Sequence, residues 1–306
     1  MPSSRPLAKD AVRLTADDGY CLVGHVTGAG KRGPVLVVNG ATGVRQWYYA
    51  RFASWAAEQG ATVLTWDYRG IGESRPHRLR GFPGSMRDWG HHDLEGVLRF
   101  ASKEWSGRPL VAVGHSVGGQ ILGQPASNQL YSRAVTVGSQ FGSWQLWPAP
   151  RKWAFAGLWY GLMPGITHTL GYFPGSLGIG ADLPKEVALE WARWCRSPGF
   201  FLEHGVTREG YARLSIPMLS FSFTDDTYAP KAAVDALHSL YARAQVERRH
   251  LSPPDVGVKE VGHFGFFKEA FRATLWEQLG EFVFGAAPVR YGAADGAHPE
   301  SRAAHV

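Results

Sequence analysis

The sequence predicts an α/β fold: a mostly parallel central sheet with helices on both faces, and an inserted, mainly helical cap. Three observations carry this. Short apolar runs alternate with helical patterns up to about residue 138, and again from 211 to 284. A glycine-flanked pentapeptide, G-H-S-V-G at 114–118, joins one such run to one such helix. Between the two blocks, residues 139–210 break the alternation and are rich in Trp, Gly and Pro.

Taken in order, residues 10–27 read as two strands around a turn at Asp17-Asp18-Gly19. Val35 to Val38 is apolar throughout, as in a strand covered on both faces. Tyr48, Phe52, Trp55 and Ala56 recur at helical spacing, and Gly60 ends that helix. Thr62 to Trp66 is the next strand and runs into D-Y-R-G-I-G-E-S. Leu94, Val97, Leu98 and Ala101 mark a helix, with His91-His92-Asp93 at its start. Pro109 to Val113 is a strand. Val117 to about Asn128 is a helix that Pro125 should kink or end, and Ala134 to Val137 is a strand. After the insertion, Met218 to Phe223 and Val246 to Leu251 read as strands. Ala233, Leu237, Leu240 and Tyr241 share one helical face, and Phe271, Leu275, Leu279, Phe282 and Val283 share another. Strands separated by helices of this length pair in parallel, because only a long crossover returns the chain to the same edge. The core is therefore 10–138 with 211–284, the cap 139–210, and 285–306 an Ala- and Gly-rich tail expected to be disordered.

The chain has 306 residues, 44% of them hydrophobic and 19% charged, enough to bury a large core without staples. Its net charge of +6 comes from scattered basic residues, with no nucleic-acid-binding motif, so a solvated basic surface is the reading rather than a nucleic-acid partner. Two cysteines, Cys21 and Cys195, indicate reduced thiols rather than a disulfide framework. The N-terminus lacks a signal-peptide core, and the most apolar stretch, Trp153 to Met163, is too short to span a bilayer. These features lead to an expectation of a cytoplasmic protein without an integral membrane segment. His91-His92-Asp93 has no second ligand cluster to support a metal site, and neither a metal nor any other cofactor is expected.

The pentapeptide is where chemistry enters. A strand followed at once by a helix forces a tight turn. Gly114 and Gly118 flank it because side chains there would collide, and the serine at the apex, Ser116, projects clear of the backbone. It also sits at a helix N-terminus, where free N–H groups favour negative charge. A serine hydroxyl is a weak nucleophile and needs a base, and the base needs an acid to hold its tautomer. In folds of this layout the order is serine, acid, histidine. Met218 to Phe223 runs into T-D-D-T-Y-A-P, which offers Asp226 as the acid, four residues before Pro230, with Asp225 as the fallback. Of the histidines that follow, His238 falls in a helix, His250 in or at the end of a strand, and His298 and His305 in the tail. His263, in the loop V-G-H-F-G-F-F, is the candidate base.

Acyl transfer also needs two N–H groups for the developing oxyanion. Val117, just after the serine, offers one. The loop N-G-A-T-G at 39–43 offers the other, with Asn39 and Gly40 as support and the Ala41 N–H as donor. N-G-A-T-G, D-Y-R-G-I-G-E-S, G-H-S-V-G-G-Q, Asp226 with Pro230, and G-H-F-G-F-F fall in an order that resembles the α/β-hydrolase superfamily over about residues 10–284. The nearest likeness is to bacterial predicted serine hydrolases similar to serine aminopeptidases and monoacylglycerol lipases. One departure is Asn39-Gly40, where many relatives have His-Gly. The resemblance also implies that Arg69 and Ser74 tie a structural loop.

The expected activity is hydrolysis of a small carboxylic ester with an apolar acyl group through an acyl-enzyme on Ser116. Alternatives on the same triad are amide or peptide hydrolysis, acyl transfer and cofactor-free lyase or peroxidase chemistry. A binding protein that lacks catalysis is the non-enzymatic reading. An aminopeptidase would need a cap carboxylate for the substrate amine, for which Glu186, Glu190, Glu203 and Glu209 are available. Trp144, Trp147, Trp153, Phe155, Trp159 and Tyr160 crowd the cap, and Gly157, Gly161, Pro164 and Gly165 should interrupt any long helix there. These aromatics either glue the cap to the core, bury a homodimer contact, or line an acyl pocket, for which Trp144, Trp147 and Trp159 are the candidates.

Overall fold

A computed structural model of the chain describes residues 10–285. The tail expected after Gly285, with His298 and His305, lies outside the described residues. Along the chain run β1 (Ala11–Thr15), β2 (Cys21–Thr27), β3 (Val35–Asn39), β4 (Thr62–Trp66), β5 (Leu110–His115) and β6 (Tyr131–Val137). A short antiparallel pair follows, β7 (Tyr172–Phe173) with β8 (Leu183–Pro184), and then β9 (Pro217–Phe223) and β10 (Gln245–Leu251). Eight of these strands form one sheet in the order β1-β2-β4-β3-β5-β6-β9-β10. The β1–β2 and β2–β4 pairs are antiparallel and the rest are parallel.

The apolar strands are buried for the reason the sequence suggests. Every residue of β3, β4 and β5 is buried. Side chains alternate across the pleat, so Val35 and Val37 join one hydrophobic core while Leu36 and Val38 join the other. The first core takes in the helix over 86–104 and much of segment 139–210. The second packs the helix Ala50–Glu58 against Leu275, Trp276 and Leu279 of the last helix.

The strand order reverses at β3, which has β4 on one side and β5 on the other. Crossovers leave in opposite directions there. A crevice opens beyond the carboxyl ends of β3 and β5, the usual ligand position in such sheets. Asn39 of β3 pairs in register with Gly114 of β5. This brings the loop 39–43 beside the 114–118 turn.

Three local expectations change. The helix after Ser116 is short: Val117–Gln120 is α-helical, Ile121–Gly123 tightens to a 3-10 turn, and the chain leaves the helix before Pro125. The Asn128 side-chain amide then ties the Leu122 and Gly210 carbonyls, at 3.2 and 2.8 Å, in place of a helical continuation. The helix expected near Leu94 starts earlier, at Met86. Ser85 and Asp88 form a reciprocal cap there, and His91-His92-Asp93 lies in a widened π-turn inside the helix. In segment 139–210, helical residues run unbroken from 151 to 170 despite Gly157, Gly161, Pro164 and Gly165. The turn Leu158–Leu162 is again a π-turn. Proline would clash with the carbonyl four residues back, and a widened turn there relieves that clash.

Candidate active site

β5 ends at His115, and Ser116 adopts φ 53° and ψ −114° before the helix opens at Val117. A non-glycine residue holds such a backbone only if its surroundings impose it. Here the Ser116 N–H donates to the Val137 carbonyl at 2.9 Å, and the Ser116 carbonyl accepts from Gly119 and Gln120 at 3.0 and 3.2 Å. The flanking glycines let helix and sheet approach. A Cβ on Gly114 would lie 2.6 Å from the Gly119 Cα, and one on Gly118 would run into the Asn39 carbonyl. Val117 is the first helical residue, so its N–H has no intrahelical acceptor.

Asp225 and Asp226 follow β9, and both reach the loop that carries His263. Asp226 Oδ2 lies 2.7 Å from His263 Nδ1. Its Oδ1 accepts from the N–H groups of Tyr228 and Ala229 at 2.8 and 3.0 Å. A carboxylate partner places the imidazole proton on Nδ1 and leaves Nε2 as an acceptor. Asp225 Oδ2 instead accepts from the Val261 and Gly262 N–H groups, at 2.8 and 3.0 Å, and so pins the histidine loop. Gly138, just after β6, closes on the pair: a Cβ there would sit 3.1 Å from both Asp226 Oδ2 and His263 Nδ1. The rejected histidines have other partners. His238 bonds Thr136 Oγ1 at 2.8 Å and His250 bonds Ser222 Oγ at 2.9 Å.

The loop after β3 departs from expectation at one atom. Asn39 is fully buried, and its Oδ1 accepts from Trp66 Nε1 at 3.1 Å. The Tyr68 hydroxyl donates to the Gly40 carbonyl at 3.0 Å. The Ala41 N–H is not free: it donates to the Tyr49 hydroxyl at 2.8 Å. That hydroxyl meets His115 Nδ1 at 3.0 Å, and His115 Nε2 meets the His263 carbonyl at 3.0 Å. A carbonyl only accepts, so Nε2 carries the proton and Nδ1 accepts from the tyrosine. Burial lowers the His115 pKa to about 3, which keeps the ring neutral. One hydrogen-bonded run thus joins the 39–43 loop, the residue before Ser116 and the backbone of His263. Tyr49 and His115 were not singled out from the sequence. The available signal was a histidine at the end of a strand buried on both faces, where it must find partners. Thr42, next along the loop, lines the same cavity as Ala41.

Ser116 and His263 share the wall of a cavity of about 140 Å³ with Ala41, Thr42, Trp147 and Trp159. Val117, buried beneath, is not part of the lining. Trp147 also donates through Nε1 to the Thr227 carbonyl at 3.1 Å, beside Asp226. Trp144 is a correction. Its ring is off the cavity and packs on Trp153, with centroids 5.5 Å apart, because the 3-10 turn Trp144–Leu146 directs it toward the next helix. No Asp, Glu, Lys or Arg is among the lining residues. Glu190, an expected amine partner, accepts from the Arg87 N–H at 2.8 Å instead.

Arg69 bonds Asp93 and Asp18, each at 2.7 Å. Ser74 Oγ donates to the Asp67 carbonyl at 2.7 Å and accepts from the Val23 N–H at 2.9 Å. Among the described residues no group of three or more His, Cys, Asp or Glu could hold a metal ion. Nor is any helix there long and apolar enough to cross a membrane.

Residues 29–170 match the family model described as serine aminopeptidase, S33. No curated protein is detectably similar in sequence. Among solved structures, the esterase EaEST from Exiguobacterium antarcticum superposes with a TM-score of 0.59 at 17% identity, covering 89% of this chain and 99% of that one. The esterase Pf2001 of Pyrococcus furiosus gives 0.59 at 13% identity, covering 90% and 89%. Est1E of Butyrivibrio proteoclasticus, solved with ferulic acid, gives 0.57 at 12% identity, covering 89% and 98%. With its strand order, its 29–170 match and these superpositions, the chain has the α/β-hydrolase fold.

Proposed function

We propose that this protein is a serine hydrolase that cleaves carboxylic esters with an apolar acyl group of short to medium length. Ser116 Oγ attacks the ester carbonyl while its proton passes to His263 Nε2. The tetrahedral oxyanion is met by the Val117 N–H and by an N–H of the 39–43 loop. In that loop the Thr42 N–H takes the role first assigned to Ala41, whose own N–H is held by Tyr49. Collapse of the intermediate breaks the C–O bond. The alkoxide leaves as the alcohol with the proton from His263, and the acyl group stays on Ser116. Water then attacks the acyl-enzyme with His263 again as base, releasing the acid and restoring the serine. Asp226 holds the imidazole tautomer and stabilises its charge throughout.

One observation carries this reading. A strained serine and a histidine bonded to a buried carboxylate at 2.7 Å open onto the same cavity. Amide or peptide hydrolysis on the same triad is less well supported. An aminopeptidase needs a carboxylate for the substrate ammonium group, and the cavity lining offers none.

A fluorophosphonate probe tests the mechanism. It is expected to label one serine, Ser116. Ser116→Ala should lower ester turnover by about 10⁴-fold or more while leaving the fold intact. Retained turnover in the pure, folded variant, or labelling elsewhere, overturns the assignment. An absence of both labelling and turnover in the native protein would favour a binding role.

A further inference from the structure

Two polar side chains in the cavity have no part in the proposed chemistry. Gln120 stands one helical turn beyond Ser116, and Gln140 lies just past Gly138. Both line the cavity beside Ser116 and His263. They are only 3% and 8% exposed, and the amide oxygen of each lacks a hydrogen-bond partner. Gln46, a buried amide away from the cavity, is tied instead to its neighbours. The Gln46 amide nitrogen reaches the Val23 carbonyl, Asp67 and Glu73, at 3.3, 3.2 and 2.9 Å.

A buried polar atom without a partner is costly, so its place at a ligand cavity points to a ligand that completes it. A primary amide carries an acceptor at one end and a donor at the other, and a half-turn exchanges them. Such a pair suits a hydroxyl or a carbonyl on the substrate. It does not suit a charged group, because burying an unpaired charge is costlier still and the lining holds no ion partner. Beyond these two amides, Ser116, His263, Thr42 and Tyr228, the wall is mostly apolar, with Phe155, Trp159, Leu162 and Trp191.

We propose that Gln120 and Gln140 select an acyl chain that is apolar overall but bears one uncharged polar substituent, a hydroxyl or an oxo group, near the scissile carbonyl. This rests on the ester-hydrolase reading and narrows its substrate class. A plain alkanoyl chain enters the same cavity but leaves both amides without their complement, and it is the poorer substrate.

The test uses the full chain and two readouts. The first is kcat/KM for ethyl hexanoate against its 2-hydroxy, 3-hydroxy and 3-oxo derivatives. The second is the Kd of the matching hexanamides for Ser116→Ala, followed by fluorescence of the wall tryptophans Trp147, Trp159 and Trp191. At least one substituted ester should be preferred by up to about 10-fold, the range of one added hydrogen bond, and its amide should bind more tightly by a similar factor. In Gln120→Met or Gln140→Met the substituted-to-plain ratio should fall toward one in both readouts. Equal Kd values for plain and substituted amides overturn the proposal, as does a ratio that survives both substitutions. If no ester is cleaved but the Kd ratio is present and falls in the variants, the recognition stands and the ester chemistry fails.

Discussion

Asp226 gives one oxygen to the imidazole of His263 and the other to the N–H groups of Tyr228 and Ala229. Asn in its place keeps the shape but presents an amide where an ionised acceptor is needed, so the histidine loses both its tautomer and its counter-charge. Asp226→Asn is expected to lower kcat by about 10⁴-fold. Asp225 meets only backbone N–H groups, which an Asn carbonyl also accepts. Asp225→Asn should therefore lose no more than about one hydrogen bond's worth of positioning, roughly 10-fold. Steady-state kinetics on one ester decides between them, and a larger loss at Asp225 would reverse the two roles. The sequence brought both carboxylates to one turn and favoured Asp226 only by its spacing to Pro230. What separates them is which partner each meets across the fold. The same limit hid Tyr49 and His115, whose bonds run to the Ala41 N–H and the His263 carbonyl. That Ser116 and His263 come together at one cavity was legible because their neighbours in sequence, the glycines and the ends of strands, are also their structural context.

The turn between β5 and its helix shows how an element can depend on missing side chains. Gly118 leaves room for the Asn39 carbonyl at the end of β3, and Gly119 leaves room for Ser139 after β6. Three strands' ends therefore converge on two positions without a Cβ. Gly118→Ala puts a methyl group against a backbone carbonyl that cannot rotate away, so the helix must lift off β3. The expected loss of stability is at least about 3 kcal/mol, at the upper end of overpacking effects. Urea unfolding measures it, and an Ala variant of native stability would show that the helix seats more loosely. Strand positions were readable because unbroken apolar runs such as Val35 to Val38 leave few other choices. Helix limits were not. The helix over 151–170 passes Pro164 through a widened turn, and the helix after Val117 stops short of the length its sequence suggests. The first rests on a widened turn that relieves the proline clash, and the second on the Asn128 amide, which takes the Leu122 and Gly210 carbonyls in place of a helical continuation.

Across the whole molecule, the sheet sets the chemistry and segment 139–210 sets the space above it. The reversal of strand order at β3 places the loops after β3, β5, β6 and β9 around one crevice. The segment then brings Trp147, Phe155, Leu158 and Trp159 over that crevice. Two of them also hold the segment down: Trp147 Nε1 donates to the Thr227 carbonyl at 3.1 Å, and the Phe155 ring meets Tyr228 edge-on at 6.3 Å, whose ring in turn stands 5.3 Å from His263, while Trp159 packs on Trp191 within the segment at 4.8 Å. Attachment and pocket lining thus share Trp147 and Phe155, whereas Trp153 and Tyr160, on the same helix as Phe155, remain 61% and 57% exposed and do not line this cavity. The space of about 140 Å³ in this partly open cavity is close to that of a dry cavity able to hold one benzene ring, so an acyl chain of several carbons fills it. In a series of unbranched p-nitrophenyl esters from acetyl to dodecanoyl, each methylene that enters should raise kcat/KM by up to about 0.8 kcal/mol, roughly fourfold. Once the cavity is full, added carbons should give nothing or a loss. Trp159→Ala enlarges the cavity, so its optimum should move to longer chains as its rate on short ones falls. A flat response across the native series would leave these aromatics as packing alone. An optimum that stays put in Trp159→Ala would place the acyl group elsewhere in the crevice.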